Sequence, residues 1–101
     1  NLTEITPEKA SKGLIQAAHT PLHYKKIEAA FGEGVEHLDA DTVVSMHSFD
    51  AALYGAGGAC RAVDAVLGGE AKNAFVAVRP PGHHATAESA MGFCFFNNVA
   101  V

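Results

Sequence analysis

The chain has 101 residues and a formal net charge of −4, and 49% of its residues are hydrophobic. This length allows one domain with a modest core. The sequence contains no basic cluster of the kind that forms a nucleic-acid-binding surface. It also contains no stretch long and apolar enough to cross a membrane. No signal peptide is visible, so we expect a cytoplasmic protein. Cys60 and Cys94 are far apart and lack CxxC spacing, which predicts two reduced, buried thiols.

Two helix starts precede the first glycine-rich stretch. Thr6–Pro7 predicts the first, with the threonine as N-cap and the proline at the first helical position. Apolar residues then recur at helical spacing through Ala18. Thr20–Pro21 repeats the signal and predicts a second helix that ends at Gly32.

His19 and His23 are four residues apart, a spacing that would suit a metal ion if both lay on one helix. Pro21 lies between them and marks a new helix start. We therefore expect the two histidines on different elements, in a tight turn or at the surface, without a metal.

Residues 32–42 predict a polar loop that contains two carboxylates, Asp39 and Asp41. Loops of this length without secondary structure are uncommon unless they are functional. From these residues alone, the carboxylates are expected to cap or solvate the loop.

Ser48 is predicted to cap the longest helix of the chain, which ends at Gly68–Gly69. Its apolar residues form one stripe at helical spacing: Phe49, Leu53, Ala56, Cys60, Val63 and Leu67. Three glycines, Gly55, Gly57 and Gly58, weaken this helix, and we expect them to allow close approach to a sheet.

A short apolar run, Ala74–Val78, predicts a buried strand. The stiff turn Arg79–Gly82 ends it and is followed at once by His83 and His84. Ligands of open α/β sheets bind beyond the carboxyl ends of the strands, so this turn is a candidate reactive site. The alternation of helix, loop and strand predicts an α/β fold with a parallel sheet.

The segments RPPGHHA, at 79–85, and MGFCFFNNVAV, at 91–101, together resemble the active-site region of the zinc-dependent histone deacetylase family. The Arg-Pro-Pro motif is closer to the class II and bacterial histone deacetylase-like amidohydrolases than to class I, and weaker similarity extends back to about Thr6. The resemblance implies a doubly wound parallel-sheet arginase–deacetylase fold with helices on both faces. It also implies that residues 1–101 are the N-terminal portion of a single, incomplete deacetylase domain. The apolar final residues independently suggest a fragment.

Adjacent histidines in an arbitrary protein are usually surface or core residues. The resemblance implies instead that His84 is the general base, and also the acid for the leaving amine, of an amide hydrolysis. The resemblance also implies that His83 is the electrostatic partner that helps to hold and polarise the zinc-bound water that attacks the amide. Histidine suits these proton transfers because its ordinary pKa, about 6.5, lies near working pH.

The resemblance also implies three substrate-binding residues. Phe93 would form one wall of a narrow tunnel for the lysine chain, and the carbonyl of Gly92 would accept from the substrate amide. Phe93 alone would be expected in the core beside Phe95 and Phe96, but the preceding glycine favours it as the exposed member. Asp41 would bind the substrate backbone from a rim loop, with Asp39 as the alternative.

The implied function is zinc-dependent hydrolysis of acetyl-lysine in proteins or peptides. The Zn²⁺ ligands are expected beyond residue 101, and a structural K⁺ is allowed. The 101 residues alone are therefore predicted to be inactive and to aggregate. The alternatives are an acetylpolyamine deacetylase and a catalytically dead domain that binds acetylated ligands or scaffolds a complex. The partners expected are acetylated protein, peptide or polyamine; a homo-oligomer stays open, and no nucleic-acid or membrane partner is expected.

Overall fold

The computed structural model of the chain describes residues 2–32 and 47–101. Three helices lie in this part of the chain: α1 (Lys12–Gln16), α2 (Pro21–Gly32) and α3 (Ser48–Leu67). Helix α2 contacts both α1 and α3. Within the described residues no helix is long and apolar enough to span a membrane.

Helix α1 begins later than predicted. Its N-cap is Ser11, whose hydroxyl accepts from the backbone N–H of Leu14 at 3.1 Å, so the expected start at Thr6–Pro7 is wrong. The N–H of Ala10 donates instead to the carbonyl of Leu53 on α3 at 2.9 Å. This tertiary hydrogen bond holds the preceding residues against α3 and outside any helix.

The predicted start of α2 and the predicted end of α3 are confirmed. The hydroxyl of Thr20 accepts from the N–H of His23 at 3.1 Å, and α2 begins at Pro21. Helix α3 ends with Gly68 as its C-cap. At its start, Ser48 is the first helical residue and His47 takes the N-cap position, one residue earlier than expected.

The glycines of α3 do allow close approach, but to an irregular segment. A Cβ on Gly57 would overlap the backbone of Glu8 and Ala10, so only glycine fits where that segment crosses the helix. The predicted close contact with a sheet is thus replaced by a contact with the N-terminal residues.

The core lies between the three helices and the segment 90–96. Its buried side chains come from the N-terminal segment, the three helices and the 90–96 segment: Ala10, Ile15, Tyr24, Ile27, Ala52, Leu53, Ala56, Ala90, Phe95 and Phe96. Burial of such side chains contributes about 1.5–3 kcal/mol each for the larger ones. The core therefore fixes the 90–96 segment against the helices.

The predicted buried strand Ala74–Val78 is wrong for this structure. The segment forms no strand, and Phe75 is 92% exposed. A strand needs a partner for its N–H and C=O groups, and none of the described residues pairs with it. Beyond α3, the described residues contain one isolated antiparallel bridge, between Met91 and Cys94.

An open apolar groove of about 730 Å³ separates this segment from the second half of α3. Val63, Val66 and Leu67 line it on the helix, and Val76 and Val78 line it on the segment. Leu67 is 82% exposed. Only the first half of the predicted apolar stripe is therefore packed in the core.

Candidate active site

The turn at 79–84 carries the two histidines of the sequence motif. It contains a cis peptide bond between Arg79 and Pro80. Gly82 is buried, and a Cβ there would overlap the side chain of Asn98. The carbonyl of Gly82 accepts from the N–H of Val99 at 3.2 Å. The turn is therefore seated closely on the last described residues.

His83 and His84, which we call the exposed histidine pair, both lie at the surface of the described residues. Their ring centroids are 4.1 Å apart and the rings are tilted by 47°. Neither imidazole makes a hydrogen bond to another described side chain or backbone group. Both rings are thus free to act on a group outside this part of the chain.

A second tight turn, 91–94, lies against the first. Met91 and Cys94 exchange backbone hydrogen bonds of 3.0 and 2.9 Å, and the two residues between them have positive φ, 56° for Gly92 and 66° for Phe93. A Cβ on Gly92 would come within 2.8 Å of a His84 ring carbon. Glycine is therefore required here both by the backbone and by contact with His84.

Cys94 joins the two turns through its sulfur. The N–H of His83 donates to Sγ at 3.4 Å, and the thiol donates to the carbonyl of Gly92 at 3.4 Å. Cys94 is buried and both cysteines are free, as expected for structural thiols, although Cys60 is only half-buried. Burial, followed by the charge of Asp64, raises the pKa of the Cys60 thiol.

Phe93 is 60% exposed, whereas Phe95 and Phe96 are buried. The prediction that Phe93 is the exposed aromatic residue is confirmed, and the positive-φ turn that begins at Gly92 produces it. Phe93 lines an open cavity of about 410 Å³, together with Arg79, Pro80 and Pro81. The residue before it, Gly92, lies against the ring of His84.

The structure brings together four of the five predicted site residues: His83, His84, Gly92 and Phe93. The fifth, Asp41, lies outside the described residues, as does its alternative Asp39. Within residues 2–32 and 47–101, no group of three His, Cys, Asp or Glu side chains could hold a metal ion. The described residues therefore do not by themselves form a zinc site.

The burial of His19 and His23, which we call the buried histidine pair, was not predicted from the sequence. They are 3% and 1% exposed, and their rings stack at 4.7 Å. The expectation of different elements is confirmed, since His19 lies in the turn before α2 and His23 in the first turn of α2. The surface alternative is wrong, because both rings pack against Phe96. The four-residue spacing was the available signal.

Comparison with known proteins identifies the family. The model of the histone deacetylase domain matches residues 1–101. A probable deacetylase of Archaeoglobus fulgidus is 42% identical over 97 residues, 96% of this chain and 27% of that protein. A histone deacetylase-like amidohydrolase of Pseudomonas aeruginosa is 46% identical over 82 residues, 80% of this chain and 22% of that protein.

The crystal structure of the HDA15 HD domain superposes with a TM-score of 0.87 at 34% identity, over 95% of this chain and 27% of that one. The chain thus spans about a quarter of the length of the proteins it matches. Its described residues have the corresponding part of a deacetylase fold, and the chain belongs to the histone deacetylase domain family.

Proposed function

We propose that this chain is part of a zinc-dependent deacetylase that hydrolyses the acetyl amide of acetyl-lysine in proteins or peptides. The observation that carries the proposal is the meeting of the two turns, which sets Gly92, the residue before the exposed Phe93, against the ring of His84 in the exposed histidine pair. The names of two relatives, a probable deacetylase and a histone deacetylase-like amidohydrolase, support the reaction class.

In this proposal the exposed histidine pair moves protons. His84 accepts a proton from the attacking water at an imidazole nitrogen and later donates it to the leaving lysine amine. His83 holds the water and stabilises charge beside it. A ring that makes no hydrogen bond to residues 2–32 or 47–101 can take both roles, because it loses no contact with them when its protonation state changes.

Phe93 and Gly92 hold the substrate. The exposed ring of Phe93 packs along the aliphatic part of the lysine side chain and excludes water there. The carbonyl of Gly92 accepts from the substrate amide, and its second lone pair remains available because Cys94 uses only one. Asp41 is proposed to bind the substrate backbone from the rim.

Zinc, when bound, would polarise the acetyl carbonyl and activate the water. The described residues offer no ligand set for it, so the proposed ligands lie beyond residue 101, and the roles given above require no metal contact. We propose equally that residues 1–101 are the N-terminal portion of one deacetylase domain with a doubly wound parallel sheet. The exposed segment Ala74–Val78 and the apolar groove beside it support this, since further strands would cover both.

The test is hydrolysis of an acetyl-lysine peptide by the complete gene product, with an acetylpolyamine in parallel, before and after a zinc chelator. We expect turnover of the peptide that the chelator abolishes and added Zn²⁺ restores. Faster turnover of the polyamine would replace the proposed substrate with that alternative. Folded protein that acts on neither substrate would contradict the proposal and indicate a non-catalytic acetyl-binding or scaffold role.

A further inference from the structure

The buried histidine pair lies beneath the candidate active site and takes no part in the proposed chemistry. His19 precedes α2 and His23 lies in its first turn. Both rings meet the edge of Phe96, at centroid distances of 5.5 and 5.9 Å. Two ionisable rings in a buried position require an explanation, because burial of a polar group is costly unless it is used.

Hydrogen bonds fix whether Nε2 carries a proton, and they do so differently in the two rings. The backbone N–H of Asn97 donates to Nε2 of His19 at 2.8 Å, so that nitrogen carries no proton. Nε2 of His23 lies 2.8 Å from the carbonyl of Phe95, which can only accept, so that nitrogen carries one. One histidine therefore accepts and the other donates, on a single stretch of backbone at 95–97.

This stretch leads directly to the exposed histidine pair. The side-chain amide of Asn97 donates to the carbonyl of Ala85 at 3.0 Å, and Ala85 follows His84 in the chain. On the other side, the N–H of Thr20, next to His19, donates to the carbonyl of Ala87 at 3.0 Å. The turn that carries the candidate catalytic residues is thus held through groups bonded or adjacent to the buried histidine pair.

The contact between His19 and Asn97 requires a neutral imidazole. Protonation of Nε2 would set an N–H against the N–H of Asn97 and would remove the hydrogen bond. Burial lowers the pKa of His19, and the charge of His23 lowers it further, while the nearby backbone of Ala87 and Thr86 acts in the opposite direction. The environment therefore favours the neutral form that the hydrogen bond needs.

No other described charge counteracts this preference. The 95–97 segment presents only backbone groups, the Phe96 ring and the Asn97 amide to His19. Glu88, in the neighbouring turn, is exposed and makes no ion pair with His19 within the described residues. The nearby charges of α1 and α2, Lys12 and Glu28, act on Tyr24 instead.

We infer that His19, with its Nε2 unprotonated, and His23 are positioning residues, which hold the 95–97 backbone and, through Asn97, the turn that carries His83 and His84. This inference rests on the proposed function for its kinetic consequence. The hydrogen bonds themselves are independent of it.

The first measurement needs no activity. Histidine ¹⁵N spectra of the complete protein near pH 7.5 report which ring nitrogen of each residue is protonated, with assignment by His19→Gln and His23→Gln. We expect the proton on Nδ1 of His19 and on Nε2 of His23. The reverse tautomers, or a charged His19 at this pH, would overturn the inference.

The second measurement compares His19→Leu, His19→Gln and Asn97→Ala by steady-state kinetics on the acetyl-lysine peptide. Leucine removes the acceptor, and we expect kcat to fall about tenfold or more while KM changes by less than about twofold, since a misplaced proton-transfer group slows the chemical step. Glutamine offers an amide oxygen near the position of Nε2 and should restore most of kcat.

Asn97→Ala leaves both rings in place and removes the side-chain link to Ala85, together with the exposed hydrogen bond that Asn97 Oδ1 accepts from the N–H of Ala100, so it decides the matter if His19→Leu does not fold. It should also lower kcat more than it changes KM. Wild-type kcat in a folded Asn97→Ala or His19→Leu variant, or equal losses for leucine and glutamine, would overturn the inference. If the wild-type protein turns over neither an acetyl-lysine peptide nor an acetylpolyamine, the proposed function fails and the tautomer measurement alone decides the positioning role.

Discussion

The two histidine pairs of this chain use one side chain in opposite ways. The buried histidine pair, His19 and His23, is hydrogen-bonded to backbone atoms more than seventy positions away in the chain. The exposed histidine pair, His83 and His84, has no such ring partners among the described residues. Protonation of His19 at Nε2 would remove its hydrogen bond to the 95–97 backbone, whereas the rings of the exposed pair have no such bond among the described residues to lose. Burial and hydrogen bonding, more than residue type, therefore separate a structural imidazole from one suited to catalysis.

The largest effect is expected from Phe96→Ala, which removes the ring that supports the buried pair. We expect a loss of about 3–5 kcal/mol in the free energy of unfolding, because Phe96 is almost completely buried. Phe93→Ala is the matched control, since the exposed ring should cost less than about 1 kcal/mol and should mainly raise KM. Denaturant unfolding and kinetics of the complete protein measure both. Equal destabilisation by the two variants would contradict the assignment of Phe96 to the core and of Phe93 to the surface.

His84→Ala should act on chemistry alone. We expect turnover of the complete enzyme to fall by at least ~10², as loss of a general base does, with unfolding midpoint and bound zinc unchanged. Kinetics, thermal unfolding and metal analysis on the same preparation report the three quantities. Loss of zinc would show that His84 is a ligand, contrary to its assigned role.

Gly92→Ala tests the exposed pair without changing a histidine. The new Cβ would press on the His84 ring, so we expect kcat to fall by about tenfold through misplacement of that ring. Gly69→Ala is the control, because it has the same positive-φ cost, roughly 1–2 kcal/mol, with no atom within 4 Å of the added carbon. A similar loss of kcat in both variants would attribute the effect to stability.

The smallest effect concerns pH. Because the pKa of His19 is lowered in the folded chain, the unfolded chain binds this proton more readily. The stabilising contribution is therefore present above about 6.5, the ordinary histidine value, and is lost as the pH falls from there towards the folded pKa. His19→Gln should lose less stability than the wild type between pH 7.5 and 5.5 in denaturant titrations. Parallel curves would mean that His19 does not contribute.

Sequence analysis predicted the features that depend on neighbouring residues. Thr20–Pro21 and Gly68 mark real helix boundaries, and Gly92 correctly indicated that Phe93 is exposed. Features that depend on distant contacts were missed. The start of α1 is displaced by a hydrogen bond to Leu53.

In the candidate site, too, features set by neighbouring residues were predicted and features set by distant contacts were not. The two motif turns are local in sequence, so their proximity to each other could be expected from the resemblance. The buried histidine pair could not, because its partners, Phe95 and Asn97, lie more than seventy residues away. The prediction of a strand at Ala74–Val78 was wrong for a related reason. A strand forms only when a neighbouring strand pairs with it, and local propensity does not reveal whether such a neighbour is present.

The backbone of Phe93 limits how the chain can vary at this position. At a φ of 66°, side chains branched at Cβ clash with their own backbone, so valine, isoleucine and threonine are disfavoured at this position. Selection from a library of all residues at position 93 should therefore favour asparagine, glycine and unbranched side chains such as the aromatic residues. For the substrate contact proposed for Phe93, the available side chains are thus limited by a torsion angle before any substrate is bound.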